Sequence, residues 1–514
     1  MKNHVKMKAV GASTLLVVLF GTLFGMVIPE QASALLYRTE EGTLKDNCVV
    51  WHDGTFHLFT MYRFDAKGGE QEQWRNVWLA TSPDGVHWKD VGPVIKEAPW
   101  GIYAMRVWKV GNRFLMNHGS FTGDKQDVLR LWCSDDLVHW KYLGPEYDVR
   151  RPDGQRIDHM DVIAEEEGGK AVYYGYAVGG LLRSEDGLKW TWMGELPLTD
   201  NLSVRVVQEP GGCQQIGDKF YLLVGGFFPG SFEYAVATYV ADRPTGPFSP
   251  DYPAFRLNGY SGRDLVALWA GYCRLPGETL MTNYMLDPGG AFWWHAPLKT
   301  AVVDGAGHLH MGYWKGNEAL KGSEVPCEPG PLPLASPEMK GSASTTKDGV
   351  TIAAPAFPQV RWITPDKPNM AFAFLDTRLD FDKGCVVEGS VKVTGTDGLV
   401  FPAAGICLEQ EGKQAASVVF GTWGETVLGT LSWSELPRFE ARDHIGFGCA
   451  TVAGIPAGTV CSYRLIIRKG IFEIYLNDLL VQTWSAAKLT GRIGFMVQDG
   501  EAAFGPPRTW EMTL

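Results

Sequence analysis

A seven-residue motif that ends in tryptophan recurs three times in the first half of the chain at a nearly constant interval. The copies occupy residues 82–88, 134–140 and 184–190, so that Trp88, Trp140 and Trp190 lie 52 and 50 residues apart. A looser fourth copy ends at Phe248, 58 residues further on. A period near 50 residues, with Ser and Asp forming a turn in each of the three copies, is typical of β-propeller blades. We expect the Ser and Asp to cap an outer hairpin turn and the Trp to pack between blades.

The rest of the chain extends this pattern into two β domains. Short apolar strands joined by tight turns continue into a fifth unit, so the sequence predicts an all-β protein that opens with a five-bladed β-propeller over residues 35–322. Residues 323–345 are rich in Pro, Gly and Ser and read as a linker. Residues 346–514 lose the period but keep short alternating strands, which favours a lectin-like β-sandwich.

Residues 1–34 have the pattern of a signal peptide. Lys2, Lys6 and Lys8 precede a long apolar run, and Ala-Ser-Ala at 32–34 is a small-residue cleavage site. We therefore expect a secreted or periplasmic protein that is free of the membrane once the signal is removed.

Charge and cysteine content narrow the possible partners. The formal net charge is −11, which argues against nucleic acid as a partner and suits a neutral substrate. The nine cysteines are scattered with no Cys-x-x-Cys pair, so we expect no metal site, and the chain shows no cofactor motif. One or two disulfides are compatible with export, but the spacing does not pair them.

A group of polar residues recurs at a nearly constant distance in sequence from the aromatic residues of the motif, and we call this spacing the phase. Arg106, Asp158, Glu209 and Asp264 stand 16–19 residues beyond the four aromatics, and Asp46 stands just before the opening strand of the first blade. If the innermost strand of each blade begins at these points, the first side chains face the central funnel. The phase therefore predicts that Asp46, Asp158 and Glu209 converge there.

Three stretches of the chain resemble glycoside hydrolase family 32, the invertases, inulinases and levanases. Residues 53–59 (DGTFHLF) are similar to the family's first hairpin, residues 297–320 to the end of its propeller, and residues 465–478 to a strand pair of its β-sandwich. The resemblance implies a glycosidase that cleaves O-glycosidic bonds of a furanoside-type or fructose-containing oligo- or polysaccharide, with retention. It also implies roles for three residues: Asp46 as nucleophile, Asp158 as transition-state stabiliser and Glu209 as acid/base.

The chemistry of glycosidic cleavage agrees with three acids at one place. One carboxyl group protonates the leaving oxygen, and a second attacks the anomeric carbon or activates water. A third can bind sugar hydroxyls and raise the pKa of the acid by like-charge repulsion. Asp161, three residues beyond Asp158, is the alternative for this third acid.

Other residues are candidates for binding substrate. Arg106 and Asp264 share the funnel phase and can bind sugar hydroxyls, while aromatic rings offer flat apolar faces to sugars. The candidate platforms are Trp51, Trp74, Trp100 and His118.

Two further functions stay open at this point. One is an inverting hydrolase of arabinan or xylan, because propeller glycosidases of family 43 share the Asp, Asp, Glu order. The other is a carbohydrate-binding propeller without catalysis.

Overall fold

A computed structural model describes most of the chain beyond the predicted signal peptide, which lies outside the described residues. The described residues are 37–39, 42–64, 74–122, 125–199, 206–227, 234–259, 267–286, 293–327, 333–336, 339, 341–355, 369–394, 401–434, 437–445, 449–451 and 454–513. Residues 33–514 belong to one compact unit. Within the described ranges, no helix has the length and apolarity needed to span a membrane.

Residues 43–313 form antiparallel sheets that follow one another along the chain. The first three sheets consist of β1 (Thr43–His52), β2 (Thr55–Arg63), β3 (Asn76–Ser82) and β4 (Lys89–Ile95); β5 (Tyr103–Val110), β6 (Arg113–Thr122), β7 (Lys125–Ser134) and β8 (Lys141–Tyr142); and β9 (Met160–Glu167), β10 (Lys170–Ala177), β11 (Gly180–Ser184) and β12 (Thr191–Gly194). The next two consist of β13 (Val206–Ile216), β14 (Lys219–Phe227), β15 (Tyr234–Ala241), β16 (Ser249–Pro250) and β17 (Arg256–Gly259); and β18 (Ala267–Leu275), β19 (Glu278–Leu286), β20 (Trp293–His295), β21 (Lys299–Val303) and β22 (Leu309–Tyr313). Two short 3-10 helices span Pro145–Tyr147 and Lys315–Leu320.

The first strands of these sheets form a closed ring. β1 contacts β5, β5 contacts β9, β9 contacts β13, β13 contacts β18, and β18 contacts β1 again. A closed cycle of meandering sheets around an axis is the architecture of a β-propeller. Each inner strand is the first of its sheet, so all the inner strands begin at one mouth of the central channel and end at the other.

The repeated motif forms the predicted turn in each of its three copies. In the first, the Ser82 hydroxyl accepts from the Gly85 amide at 2.8 Å, and Asp84 Oδ1 accepts from the amides of Val86 and His87 at 2.9 and 2.8 Å. The aspartates of the other two copies, Asp136 and Asp186, accept the corresponding backbone bonds. These bonds satisfy the turn amides and fix the hairpin geometry.

The motif aromatics pack against the preceding sheet in the ring, as predicted. Trp140 meets Phe59 of β2 with 5.8 Å between ring centroids, and Trp190 meets Trp108 of β5 at 6.1 Å. Phe248, which ends the looser fourth copy, meets Tyr176 of β10 at 6.2 Å. One large aromatic per repeat therefore fills the gap between neighbouring sheets.

The C-terminal part is a β-sandwich. Its strands are β23 (Lys321–Val325), β24 (Ser342–Thr346), β25 (Gly349–Ala353), β26 (Met370–Phe374), β27 (Cys385–Val393), β28 (Ala403–Gln410), β29 (Gln414–Gly421), β30 (Thr426–Ser432), β31 (Arg438–Ile445), β32 (Val460–Arg468), β33 (Ile471–Leu476), β34 (Leu479–Ser485), β35 (Leu489–Gln498), β36 (Glu501–Phe504) and β37 (Arg508–Met512). One sheet has the order β26-β35-β28-β29-β30-β31, and the other contains β34-β33-β32-β27-β36-β25-β24. Their facing sides enclose a continuous apolar core. The all-β fold, a propeller followed by a sandwich, is thus confirmed.

The two halves share a sheet and a buried ion pair. β22 pairs with β34 through Gly312 and Leu479, so the last propeller sheet runs into the sandwich. Nearby, Lys299 Nζ lies 2.5 Å from Glu473 Oε1, with both side chains fully buried. The segment predicted as a linker, 323–345, starts inside β23 and ends inside β24, and β23 pairs with the last strand, β37.

All nine cysteines lie in described residues, and none forms a disulfide. Seven of them are buried, including Cys48 and Cys213. Burial raises the pKa of the Cys48 thiol, which keeps that thiol protonated.

Candidate active site

A β-bulge at the start of β1 sets the position of Asp46. Lys45 pairs with Met61 and Asn47 pairs with Thr60, so Asp46 is the extra residue of the bulge. Its φ is +48°, in the left-handed region that Asp and Asn tolerate better than most residues. A bulge re-aims the side chain it carries, and bulges occur often beside active sites.

The same distortion recurs near the start of other inner strands. Ala104 in β5 (φ +35°) and Trp269 in β18 (φ +60°) also lie at register shifts with positive φ. In β13 the shift comes before Glu209, which pairs with Gly225. The inner strands β1, β5, β13 and β18 are therefore kinked where they enter one mouth of the channel, and Asp46 and Glu209 lie at two of these kinks. Asp158 lies just before β9, whose pairing with β10 has no register shift.

Arg156 links Asp158 to Glu209. Its Nη2 donates to Asp158 Oδ2 and lies 3.1 Å from Glu209 Oε1. Asp158 also accepts from Gln126 Nε2 at 2.5 Å. The side chains of Asp158 and Glu209 are 10% and 21% exposed, so both are largely shielded but open to the channel.

Asp46 belongs to the same cluster. Its charge acts on Glu209, and its carboxylate forms a hydrogen bond with the Tyr284 hydroxyl. The Tyr234 hydroxyl, from β15, donates to Glu209 Oε2 at 3.2 Å. The structure therefore brings Asp46, Asp158 and Glu209 together at one mouth of the channel.

The electrostatics of the cluster set Glu209 apart. Burial, followed by the charges of Asp158 and Asp46, raises its pKa to about 7, while Arg156 opposes the shift. A carboxyl group with this pKa holds a proton near neutral pH and can give it to a leaving group.

His159, Arg106 and Trp269 are buried beneath the carboxylate cluster and contact one another. The His159 ring meets Trp269 with 4.6 Å between centroids, and the Arg106 guanidinium lies 4.7 Å from the Trp269 ring centroid. Burial and the charge of Arg106 lower the pKa of His159 to about 3, so the ring is neutral, and its Nε2 donates to the Pro210 carbonyl at 2.7 Å.

Arg106 lies beneath the carboxylate cluster and is not presented to solvent. Only 4% of the residue is exposed, and Nη1 donates to the carbonyls of Asn47 and Met105 at 3.1 and 2.7 Å. It therefore holds the backbone next to Asp46, and the sequence-based expectation that it binds sugar hydroxyls stays a prediction.

Asp161 has a separate environment. Its Oδ2 lies 3.1 Å from Arg274 Nη2 and accepts from the Cys213 amide at 3.1 Å. Asp161 is paired with Arg274, whereas Asp158 shares Arg156 with Glu209, so Asp158 rather than Asp161 belongs to the cluster.

Three of the aromatic residues predicted as sugar platforms, Trp74, Trp100 and His118, are packed against other side chains. Trp74 is buried under the Arg63 guanidinium, and the Arg130 guanidinium stacks on Trp100 at 3.9 Å from the ring centroid. His118 is fully buried: Nδ1 donates to the Gly119 carbonyl, and Nε2 accepts from Trp132 Nε1 at 3.0 Å. These three pack within and between sheets because large rings fill the gaps that sheet twist leaves in a propeller.

Trp51 and Asp264 complete the predicted set. Trp51 lies near the end of β1 and lines a cavity at the opposite mouth of the channel. Asp264 lies outside the described residues. No group of three His, Cys, Asp or Glu side chains in the described ranges is arranged to hold a metal ion.

The site also contains residues that sequence reasoning did not single out, namely Arg156, Tyr234, Tyr284, His159 and Trp269. Arg156 stands two positions before Asp158 and was detectable as a cation beside a predicted catalytic acid. The tyrosines come from non-inner strands of their sheets, β15 and β19, so no periodicity of the inner strands indicates them.

The chain is a β-propeller followed by a β-sandwich, and comparison with solved structures shows the same fold in enzymes of glycoside hydrolase family 32. The chain is similar to the family 32 β-fructofuranosidase of Bombyx mori (TM-score 0.58, 13% identity, 92% of each chain covered). It is also similar to fructan 1-exohydrolase IIa of Cichorium intybus (TM-score 0.60, 11% identity, 93% of this chain and 96% of the other). A fructofuranosidase of Schwanniomyces occidentalis, solved with fructose, matches with a TM-score of 0.59 and 14% identity over 93% of this chain and 98% of the other. No protein-family model and no curated protein sequence matches the chain.

Proposed function

We propose that the protein is a glycoside hydrolase that cleaves an O-glycosidic bond of a fructose-containing or other furanoside glycan. The observation that carries the proposal is Glu209: its pKa is raised to about 7 by burial and by the charges of Asp158 and Asp46 in the same cluster. A proton donor that operates near neutral pH beside two further carboxylates is the arrangement that glycosidic cleavage requires.

In the proposed mechanism the bond breaks in two steps with retention at the anomeric carbon. Asp46 attacks the anomeric carbon while Glu209 gives its proton to the leaving oxygen, which departs as an alcohol. Glu209, now ionised, then takes a proton from a water molecule. The oxygen of that water attacks the anomeric carbon and displaces Asp46. The first step forms a bond to Asp46 and the second breaks it, so both groups return to their starting states.

Asp158 and Arg156 have supporting roles in this mechanism. Asp158 accepts hydrogen bonds from sugar hydroxyls and keeps the Glu209 pKa high. Arg156 neutralises Asp158 and, by its contact with Glu209, sets an upper limit to that pKa.

The proposed substrate class follows from the neighbours in fold. Solved neighbours include a fructofuranosidase with fructosylnystose and a fructan 1-exohydrolase with 1-kestose. The acidic chain, with net charge −11, also suits a neutral sugar better than an anionic one.

Hydrolysis of natural glycans tests the proposal. The purified protein is incubated with sucrose, inulin, levan, arabinan and xylan, and released sugars are quantified for wild type, Glu209→Gln and the control Glu166→Gln, an exposed residue of β9. We expect release from a fructose-containing glycan, a loss of about 10²- to 10⁴-fold in Glu209→Gln, and no change in the control. Equal activity in all three proteins, or none on any glycan, would contradict the proposal.

The stereochemistry of the product separates the proposed mechanism from the inverting alternative. Proton NMR of the first-formed sugar shows whether its anomeric configuration matches that of the substrate. Release of arabinose or xylose with inversion would assign the family 43 type of reaction, with Asp46 activating water instead of attacking.

We also propose that the protein acts outside the cytoplasm. The basic and apolar N-terminal residues and the Ala-Ser-Ala sequence at 32–34 support export. N-terminal sequencing of the protein from the culture medium or periplasm is expected to begin at residue 35, and recovery of the intact chain from the cytoplasm would contradict it.

A further inference from the structure

A cavity of about 480 Å³ opens at the mouth of the channel opposite the carboxylate cluster. Asp46 and Glu209 lie near the starts of β1 and β13, whereas the cavity is lined by later residues of these strands, such as His52 and Gln215. Inner strands of all the described propeller sheets contribute to its wall. The cavity is therefore a built feature of the ring and is separate from the candidate active site.

The wall combines flat rings with polar side chains. Trp51, Trp108, Phe114 and Tyr173 present apolar surface, and the Trp108 indole N–H has no hydrogen-bond partner among the described residues. A volume of this size is within the range of small-ligand sites, which pair apolar walls with a few polar groups.

The charges of the wall cancel. Among the described lining residues, Asp161 and Glu165 are acidic and Lys109 and Arg274 are basic. Asp161 is held by Arg274 at 3.1 Å, and Arg274 Nε donates to Gln214 Oε1 at 2.6 Å. A ligand with a net charge would therefore find no excess of opposite charge, in contrast to the acidic cluster at the other mouth.

We propose that this cavity is a second binding site that takes a neutral saccharide of one or two rings. The ring of Trp51 packs against the apolar face of a sugar, and the amide of Gln215 and the carboxylate of Glu165 bind its hydroxyls. The site binds without reacting, because its acids are not arranged as the Asp46 cluster is. The inference does not rest on hydrolysis at the other mouth.

Blocking the cavity with a bulky side chain tests the proposal. Ala164 is an exposed residue of β9 that lines the cavity, and Ala171 is an exposed residue of β10 outside it. Ala164→Trp fills the cavity without removing core contacts, and Ala171→Trp is the matched control. Both are made in full-length Asp46→Asn protein, and binding of sucrose and of xylobiose is measured by calorimetric titration, with glucose 6-phosphate as the charged comparison.

The expected result is that Ala164→Trp removes one saccharide site per chain while Ala171→Trp removes none. Gln215→Ala, a truncation of an exposed side chain, is expected to weaken the same site and so to guard against misfolding of the larger substitution. Equal stoichiometry in all variants, or tighter binding of glucose 6-phosphate at the Ala164-sensitive site, would overturn the proposal. These outcomes do not depend on whether the wild type hydrolyses a glycan. The binding proposal and the proposed hydrolase activity can therefore be contradicted separately.

Discussion

Arg156 Nη2 lies 3.1 Å from Glu209 Oε1 and at the same time contacts Asp158, so one guanidinium controls the charge balance of two acids. Asp158 precedes β9 and Glu209 lies in β13, and among the described residues Arg156 is the cation that contacts both. The proton affinity of Glu209 is consequently a property of the trio and not of Glu209 alone.

The pH dependence of the reaction is expected to follow this trio. Glu209 must be protonated to act as an acid, so kcat/KM is expected to fall about tenfold per pH unit above about 7. Asp158→Asn removes a like charge, so it lowers the pKa of Glu209 and moves the fall in kcat/KM to lower pH. Arg156→Met removes an opposite charge, so it raises that pKa and moves the fall to higher pH. Arg113→Met, an exposed arginine paired with Asp135, is the control and leaves the fall in place. Shifts of the two variants in the same direction would contradict the assignment.

Glu209 is also expected to reduce stability at higher pH. Its folded pKa of about 7 is above the ordinary value of 4.5, so folding favours the protonated form, and the free energy of unfolding declines as pH rises from about 4.5 to about 7. Glu209→Gln cannot ionise and avoids this decline. Relative to the wild type, it is expected to gain at most about 3 kcal/mol of stability between these pH values. Urea unfolding at pH 4.5 and pH 8 measures the difference, and a gap that does not change with pH would argue against a raised pKa.

Asp46→Asn is expected to abolish turnover while preserving the fold. Asn tolerates the left-handed backbone at this bulge, so only the nucleophilic carboxylate is lost, and kcat is expected to fall by about three or more orders of magnitude. Asp53→Asn is a close control, because Asp53 has the same φ of +48° and lies exposed in the turn after β1. Activity in Asp46→Asn that matches the control would remove Asp46 from the mechanism.

The ion pair between the two halves is expected to be costly to break. Lys299→Met leaves Glu473 charged and fully buried, which costs about 3–5 kcal/mol of unfolding free energy. The double variant Lys299→Met/Glu473→Leu is expected to recover part of this loss. Lys383→Met breaks a half-exposed pair with Glu511 and costs about 0–1 kcal/mol. Equal losses in Lys299→Met and Lys383→Met, measured by urea unfolding, would contradict the argument.

Removing the sandwich is expected to prevent folding of the propeller. A chain that stops at residue 340 loses the β34 partner of β22 and leaves Lys299 without Glu473. We expect such a chain to be insoluble or to unfold at much lower temperature than the full protein. Soluble, active propeller from the truncated gene would show that the halves are separable.

Much of the fold could be predicted from the repeat because its signals are local. The turn bonds of Ser82 and Asp84 and the packing of Trp140 and Trp190 depend on neighbouring residues and on a regular period. The spacing from the motif aromatics also placed Asp158 and Glu209 near the starts of inner strands, and Asp46 was placed there by its position at the first strand.

The finer features of the site depend on partners that are far apart in sequence. Asp161 is distinguished from Asp158 by its pairing with Arg274. That arginine lies 113 residues further along the chain and donates a hydrogen bond to the Asp161 carboxylate. Trp74 and His118 are as aromatic as any sugar platform, and only their burial shows that they belong to the core. Trp100 is half-buried, and its ring is covered by the Arg130 guanidinium. Sequence alone gives no measure of whether a ring in a propeller faces a neighbouring sheet or the channel.

The bulge at Asp46 restricts what natural variation or protein engineering can do at this position. Its left-handed backbone disfavours most side chains, and β-branched or bulky ones most strongly, so few residues besides Asn and Gly fit without strain. A longer acid such as Glu would be strained in that backbone conformation, and its carboxylate would also extend too far. New specificities on this scaffold are therefore more accessible through the loops around the mouth than through the carboxylate at its rim.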